Sequence, residues 1–309
     1  MRAKVVVVGS SNTDMIVQVT HIPRPGETIL GGAFTMAAGG KGANQAVAAA
    51  RAGADVVFVA RVGDDMFGHQ AIEGFLADGI DATHVKRDKK NASGVALISV
   101  AADGENSIAV ASGANAALSP KDVHAAKSEI ASASIVLCQL ETPIETIKTT
   151  VQLAADARVP VILNPAPAQQ LPDDLLKQIS ILTPNETESQ ILTGVNVIDD
   201  ATAQDAAKQL RDRGVQTVIV TRGPSGSLIV TEHGLERIAA CPVQAVDTTA
   251  AGDVFNGALA LAVAEGQPLD KAARFAAAAA AISVTRLGAQ PSIPTRAEIN
   301  LLISQQSKG

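Results

Sequence analysis

The sequence contains no tryptophan and no tyrosine, and only six phenylalanines among its 309 residues. Proteins that bind single-stranded nucleic acid stack the bases on aromatic side chains, and this chain has few to offer. Basic charge is also in deficit, since 25 Lys and Arg stand against 31 Asp and Glu, for a formal net charge of −6. An acidic chain has no overall field that attracts a phosphate backbone. We therefore predict that nucleic acid is not a partner.

Cysteines and long apolar runs are scarce as well. The two cysteines, Cys138 and Cys241, provide neither a disulfide framework nor a metal-ligand spacing. The alanine-rich stretch at 275–284 is too short to cross a bilayer, so no membrane partner is expected. The opening MRAKVVVVGSS lacks the apolar segment and cleavage site of a signal peptide and is typical of a first strand. These features predict a cytoplasmic protein.

Apolar residues nevertheless make up 47% of the chain, and most of them are Ala, Val, Ile and Leu. This composition is typical of a parallel sheet that helices cover on both faces. The segment DVVFVA predicts a strand, RVGDD a loop, and the residues after it a helix through Phe75. After Pro120, short apolar strands alternate regularly with helical segments. The pattern predicts an α/β fold with a mostly parallel sheet flanked by helices.

Two pairs of segments interrupt this rhythm with the alternation of exposed strands. They are MIVQV with ETILGGAFTM, and SGVALISVA with ENSIAVA, the latter joined by the hairpin signal Ala102-Asp103-Gly104. We interpret both pairs as one small β-sheet, over about 12–38 and 91–112, that projects from the large domain as a lid. The chain would then be a single unit over 1–309, with the lid inserted into a nucleotide-binding α/β domain.

The most informative local segment is VDTTAAGDVFNG, in which small residues lead into a predicted helix. The first N–H groups of a helix lack intrahelical acceptors, so those of Ala251, Gly252 and Asp253 could bind an anion. An acid at a helix start is favoured by the helix dipole and stays ionised, as a general base must. The alternative for Asp253 is an ordinary helix cap.

A second segment, AGGKGANQA, precedes another predicted helix. Its paired glycines let the backbone meet a small polyol, and Asn44 supplies both a donor and an acceptor. It is not a phosphate-binding loop of the GxxxxGK[ST] type, because that spacing is missing. The alternative is a tight strand–helix turn.

Together these segments resemble the DTxGAGD and GGxGAN signatures of the ribokinase family of sugar kinases, in order and over nearly the whole chain. Ala250 stands where many members carry glycine. The resemblance implies that Asp253 is the catalytic base and that Ala250, Ala251 and Gly252 complete an anion hole. It also implies a sugar site, whose residues are Asn12, Asp14, Gly40, Lys41, Asn44, Glu141 and Asp253.

The same resemblance implies sites for ATP, Mg²⁺ and K⁺. Asn185 and Glu188, in NETE, match a motif that holds Mg²⁺ near the phosphates through water, and Asn185 also contacts the nucleotide. The predicted nucleotide loop is TRGPSG, which comprises Thr221, Arg222, Gly223, Pro224, Ser225 and Gly226. Gly252 is a further predicted nucleotide contact. The predicted K⁺ site comprises Asp247, Thr249, Ser283, Arg286, Gly288 and Ser292. Relatives dimerise through the lid, which implies a homodimer.

The expected reaction is ATP-dependent phosphorylation of the 5-hydroxyl of D-ribose. A nucleoside kinase would need aromatic rings around the base, and a phosphosugar kinase a basic pocket, so both are disfavoured. Deoxyribose is the nearest alternative substrate, although Asn12 would then face a missing hydroxyl. Another small-sugar or nucleoside kinase of the same family also stays open. A non-catalytic sugar sensor is the alternative from another class. A dinucleotide oxidoreductase is disfavoured because GSSNTD, not GxGxxG, follows the first strand.

Overall fold

The computed structural model describes residues 2–306, which contain thirteen strands and eleven α-helices. In chain order the strands are β1 (Lys4–Val8), β2 (Asn12–Val19), β3 (Phe34–Gly39), β4 (Asp55–Gly63), β5 (Val85–Asp88), β6 (Gly94–Ala101), β7 (Asn106–Ala111), β8 (Ile135–Cys138), β9 (Val161–Leu163), β10 (Ile181–Leu182), β11 (Thr217–Thr221), β12 (Ser227–Thr231) and β13 (Gly234–Ile238). The helices are α1 (Lys41–Ala52), α2 (Met66–Ala77), α3 (Pro120–Ala125), α4 (Lys127–Ala131), α5 (Ile144–Asp156), α6 (Asp173–Leu176), α7 (Glu186–Thr193), α8 (Asp200–Asp212), α9 (Ala251–Ala264), α10 (Leu269–Ser283) and α11 (Arg296–Gln306).

The strands form two sheets. The large one has nine strands in the order β13-β12-β11-β10-β9-β8-β1-β4-β5. All its neighbouring strands run parallel, apart from the antiparallel edge formed by β11, β12 and β13. The predicted fold class, a mostly parallel sheet flanked by helices, is therefore confirmed.

The first strand shows why the sheet needs helices on both faces. All four valines of β1 are fully buried. Val5 and Val7 join a core cluster with α1, α9 and α10, whereas Val6 and Val8 join a second cluster with α5 and α8. Because successive side chains point to opposite faces, a continuous valine run needs apolar cover on both sides.

The small sheet has the order β3-β2-β6-β7. Its outer pairs are antiparallel, but the central pair, β2 with β6, is parallel. Since β2 leaves the end of β1 directly, Asn12 lies at the junction of the two sheets, paired with Gly39 on one side and Gly94 on the other. The lid boundaries and its role as a lid stay predictions.

Two local expectations need correction. The second segment of the small sheet begins at Phe34 rather than at Glu27, because the glycine pair at 31–32 breaks the strand, although Gly32 N–H still donates to the Gln18 carbonyl at 2.8 Å. The segment RVGDD was expected to be a loop, but its first three residues extend β4 to Gly63, where they pair with β5.

Several apolar side chains of the small sheet are exposed, among them Phe34, Met36, Leu97, Ile108 and Val110. The predicted homodimer through this sheet stays a prediction. No helix within residues 2–306 is long and apolar enough to span a membrane.

Helices α1 and α9 pack unusually closely. A Cβ built on Gly257 of α9 would lie 2.5 Å from the Gln45 carbonyl oxygen and 2.6 Å from the Ala48 Cβ of α1. Only glycine therefore allows the two backbones this approach. The contact matters because α1 carries Asn44 and α9 carries Asp253.

Gly257→Ala should force α1 and α9 apart and lower the free energy of unfolding by about 1–3 kcal/mol, the usual cost of overpacking. The matched control is Gly74→Ala in α2, where a new Cβ would meet no atom within 4 Å. That change should raise the free energy of unfolding by about 0.5–1 kcal/mol, because alanine favours a helix over glycine. Urea unfolding measures the free energy of unfolding of both variants. Equal changes in the two variants would contradict close packing of α1 against α9 at Gly257.

Candidate active site

The predicted base, Asp253, lies in the first turn of α9 and is buried. Each of its carboxylate oxygens accepts one amide hydrogen bond. Asn44 Nδ2 donates to Oδ2 at 3.0 Å, and Gln45 Nε2 donates to Oδ1 at 3.0 Å. Burial raises the pKa of Asp253 above its ordinary value, although Lys41 and these two amides act to lower it. The arrangement holds a carboxylate whose basicity is greater than that of a solvated aspartate.

Gln45 is itself fixed by two further amides. Its Nε2 also donates to Asn164 Oδ1 at 3.1 Å, and its Oε1 accepts from Gln139 Nε2 at 2.7 Å. Asn164 in turn donates to the Thr183 carbonyl at 3.2 Å. All of these side chains are buried. Since both Gln45 amide hydrogens and its oxygen are committed, its N–H must point at Asp253.

Sequence reasoning did not assign this supporting network. Gln45 lies within the AGGKGANQA segment, but Gln139, Asn164 and Thr183 are isolated polar residues just beyond or at the ends of strands β8, β9 and β10. Polar residues at the carboxyl ends of parallel strands were the one signal that could have found them.

The start of α9, where the sequence predicts an anion site, differs from the expectation at one N–H group. Within residues 2–306, the N–H groups of Gly252 and Asp253 donate to no protein acceptor, but that of Ala251 donates to the Thr248 carbonyl at 3.2 Å. Ala250 precedes the helix with φ 59°, in the left-handed region. Glycine adopts this conformation without strain, which gives the physical reason why many members of the family carry glycine there.

The α9 start borders a cavity of about 180 Å³. The predicted residues that line it are Lys41, Asn185, Glu188, Thr221, Ala250, Ala251, Gly252 and Asp253. Lys41 is partly buried there; burial opposes its charge, but Asp253, Glu141 and Glu188 outweigh this and raise its pKa. Lys41 therefore stays charged and faces the cavity, rather than lying wholly within the sugar site to which sequence analysis assigned it. A second cavity of about 370 Å³, near His124 and Lys148, contains none of the predicted residues.

Other residues predicted for the sugar site lie near Asp253. Glu141 accepts hydrogen bonds from the Lys41 N–H at 3.0 Å and from the Ser10 hydroxyl, so it caps the N-terminus of α1. Gly40 precedes that helix with φ 90°, and a Cβ there would lie 2.6 Å from the Asn12 nitrogen. Asn44 Oδ1 is buried with no hydrogen-bond partner within residues 2–306. This oxygen is free to accept from a ligand hydroxyl.

Asp14 completes the cluster. Burial, then the charges of Glu141 and Asp253, raise the pKa of Asp14 to about 6. The carboxylates of Asp14, Glu141 and Asp253 thus lie close together. Several acceptors in one place suit a ligand that donates several hydroxyl hydrogens. Among the predicted sugar-site residues, Lys41 has the one basic side chain that could meet a phosphorylated sugar, and Lys41 lines the cavity.

Asn185 and Glu188 form a reciprocal cap at the start of α7. Glu188 N–H donates to Asn185 Oδ1 at 2.8 Å, and Glu188 accepts from the Asn185 N–H at 2.9 Å and from its Nδ2 at 3.0 Å. Burial raises the pKa of Glu188. Oxygen ligands of this kind suit Mg²⁺ held through water, because a carboxylate keeps further lone pairs. Within the described chain no three His, Cys, Asp or Glu side chains converge on a metal position.

The predicted nucleotide loop follows β11. Thr221 lines the cavity and bridges to Asn185, which brings the loop beside α7. A 3₁₀ turn spans Gly223–Ser225, and Gly226 closes it with φ 83°. The Arg222 side chain forms an ion pair with Asp200.

The predicted K⁺ residues lie on two adjoining segments. Asp247 Oδ2 accepts from the Gly288 N–H at 2.8 Å, and Asp247 Oδ1 accepts from the Thr249 N–H at 2.9 Å. The Ser283 and Ser292 hydroxyls are buried and donate to carbonyl oxygens, which leaves their own oxygens as acceptors. Arg286 pairs with Glu298. Carboxylate, hydroxyl and carbonyl oxygens are ligands that suit a hard cation.

Comparison with known proteins agrees with this geometry. A model described as the pfkB family carbohydrate kinase matches residues 2–296. The chain belongs to the pfkB family of carbohydrate kinases. It is 49% identical over 300 residues to a ribokinase of Haemophilus influenzae, with 96% of this chain and 97% of the relative covered. It is 37% identical over 301 residues to a deoxyribokinase of Salmonella typhi, with 97% and 98% covered.

A solved relative shares the architecture. A structure of Arabidopsis thaliana ribokinase complexed with ribose and ATP superposes with a TM-score of 0.91 at 35% identity, covering 98% of this chain and 99% of that one. The resemblance inferred from the two motifs is therefore confirmed.

The Asp14 carboxyl generates a pH prediction. With a pKa of 3.8 when unfolded and about 6 when folded, the folded protein binds more protons between those values, so its stability falls as pH rises through that window. Asp14→Asn removes this effect. The stability gained by the ligand-free variant should grow from near zero at pH 4 to about 1–2 kcal/mol above pH 7.

Urea unfolding at pH 4.5 and 7.5 measures it. Asp205→Asn, on the exposed face of α8, is the matched control. A gain for Asp14→Asn that is equal at both pH values would contradict burial of this carboxyl among like charges.

Proposed function

We propose that this chain transfers the γ-phosphoryl group of ATP to the 5-hydroxyl of D-ribose, giving D-ribose 5-phosphate. One observation carries the proposal: the buried Asp253 carboxylate, held by Asn44 and Gln45, lies in the first turn of a helix whose N-terminus borders a cavity. The ribokinase of Haemophilus influenzae, at 49% identity over almost the whole chain, supports ribose as the acceptor.

In this account Asp253 accepts the proton of the attacking hydroxyl. Asn44 and Gln45 use one lone pair on each carboxylate oxygen, and the remaining lone pairs face the sugar. Its raised pKa brings the base closer to neutral pH, where proton acceptance is most effective.

The chain's own hydrogen-bond donors stabilise the negative charge of the phosphoryl group during transfer. The free N–H groups of Gly252 and Asp253 and the Lys41 ammonium all border the cavity. Donors fixed in advance stabilise such charge without having to reorganise during the reaction.

ATP is held by the loop from Thr221 to Gly226 and by the side of the cavity that Asn185 lines. Asn185 and Glu188 hold Mg²⁺ through water. When bound, Mg²⁺ neutralises phosphate charge and orients the phosphates for in-line attack.

The sugar is bound by Asn12, Asp14, Asn44 and Glu141, with the Gly40 backbone close by. The unpartnered Asn44 Oδ1 accepts from one hydroxyl, and Asp14 accepts from another. A deoxy sugar would leave one of these buried groups unpaired, which disfavours it.

A substrate panel tests the proposal. We expect kcat/KM for ribose to exceed that for 2-deoxyribose by about 5- to 150-fold, the factor expected when one buried polar group is left unpaired. ATP consumption is measured with ribose, 2-deoxyribose, adenosine and fructose 6-phosphate, and the phosphorylated position is read by NMR. A preference for 2-deoxyribose would reject the sugar assignment. Ribose binding without ATP consumption would favour the sugar sensor.

A K⁺ site is proposed beside the anion site, at the joined segments around Asp247 and Gly288. Asp247 N–H and Val246 N–H both donate to the Val284 carbonyl, which ties the segment before α9 to the end of α10. Because Thr249 is only two residues before Ala251, the first residue of α9, a cation bound at Asp247 and Thr249 would order the backbone of the anion site.

Turnover should therefore be faster in K⁺ than in Na⁺, and slowest with a bulky organic cation. Initial rates at equal ionic strength measure this, with ATP and ribose saturating. Equal rates in all three salts would count against the site.

A homodimer through the small sheet is proposed as well, because exposed apolar side chains on short strands favour pairing. Light scattering at micromolar concentration measures the mass, and a monomer would reject the dimer.

A further inference from the structure

Asn115 is a buried residue that neither the motifs nor the cavity single out. It lies on the 3₁₀ turn Gly113–Ala117, just after β7, and is 2% exposed. Its Oδ1 accepts from the Ser11 N–H at 2.9 Å, and its Nδ2 donates to the Ser11 carbonyl at 3.1 Å. The same Nδ2 donates to Asn12 Oδ1 at 2.7 Å.

The Ser11 backbone decides which way round the Asn115 amide lies. Its N–H and carbonyl require the Asn115 oxygen on one side and the nitrogen on the other. The nitrogen is therefore the atom that meets Asn12, so Asn12 must present its oxygen to Asn115. The Asn12 NH₂ group then faces away from Asn115.

Gly94 of β6 provides the space for this pair. A Cβ on Gly94 would lie 2.2 Å from Asn12 Oδ1 and 2.3 Å from Asn115 Nδ2. The two amides thus pack directly against the β6 backbone.

We propose that Asn115 is a positioning residue that fixes the Asn12 amide as a hydrogen-bond donor toward the sugar. The inference rests on the proposed function only in taking Asn12 as a sugar contact. The Ser11 backbone fixes the orientation of the Asn115 amide, and Asn115 in turn fixes the orientation of the Asn12 amide. Asn12 then offers its NH₂ to a hydroxyl oxygen of the acceptor sugar.

Asn115→Asp tests this directly. One carboxylate oxygen keeps the bond from the Ser11 N–H, but the other now faces both the Ser11 carbonyl and Asn12 Oδ1, and it repels both oxygens. The Asn12 amide turns over to donate, and so offers the sugar an oxygen in place of its NH₂. The KM for ribose should rise by about 5- to 150-fold, whereas the KM for ATP and kcat at saturating ribose should change by less than about twofold.

The decisive comparison is the same change in an Asn12→Ala background. With no amide to turn over, Asn115→Asp should alter the ribose KM by less than about twofold there, because the two positions act as one unit. Asn196→Asp, on the exposed segment between α7 and α8, is the matched control for the added charge. Thermal unfolding of each variant shows that it is folded.

An unchanged ribose KM in Asn115→Asp would overturn the proposal. So would an equal fold-change with and without Asn12, or a parallel rise in the KM for ATP. Should the aspartate variant fail to fold, Asn115→Leu frees the Asn12 amide without adding charge, and its effect must again depend on Asn12. If the wild type phosphorylates no ribose, the proposed function fails instead. The variants are then compared on the acceptor that the substrate panel identifies.

Discussion

Everything at this site depends on keeping one carboxylate buried. Removing Asp253 from water disfavours its charged form, and the chain offsets this with one amide donor for each oxygen and a lysine nearby. Both donors, Asn44 and Gln45, lie on adjacent positions of α1. They reach Asp253 because Gly257 lets α1 and α9 come into backbone contact.

The same constraint extends into the sheet. Gln45 can donate to Asp253 only because Gln139 and Asn164 occupy its other hydrogen-bonding positions. These two residues follow β8 and β9, neighbours in the large sheet. The parallel sheet therefore orients the base through a chain of amides, because Gln139 and Asn164 hold the Gln45 amide that donates to Asp253. On the sugar side, Glu141 plays a comparable role by capping α1 through the Lys41 N–H.

Much of this could be predicted from the sequence. The valine run of β1 and the strand–helix rhythm after Pro120 predict a sheet covered on both faces, and the two glycine-containing motifs predict where a sugar and a phosphate meet. Each of these signals lies within a short stretch of the chain, so it can be recognised without knowing the fold. The β4 extension was missed because Arg61 and Gly63 suit a loop, and only pairing with β5 makes them a strand.

Gln139, Asn164 and Asn115 were not assigned for a different reason. Each is an isolated amide with a hydrogen-bond partner 94 to 119 residues away along the chain. Their significance arises only when the fold brings those partners together. Arg222 shows the converse, since a residue within a predicted nucleotide loop turns its side chain toward Asp200.

The central claim is that Asp253 is the base, and Asp253→Asn tests it most directly. The fold should tolerate the change, because the unpartnered Asn44 Oδ1 can rotate to accept from the new amide. We expect kcat to fall by about 10²- to 10⁴-fold, the range for loss of a positioned base. Ribose and ATP should still bind, by calorimetry, and the melting temperature should rise because a buried charge has been removed. A variant that keeps half of the wild-type kcat would contradict the account.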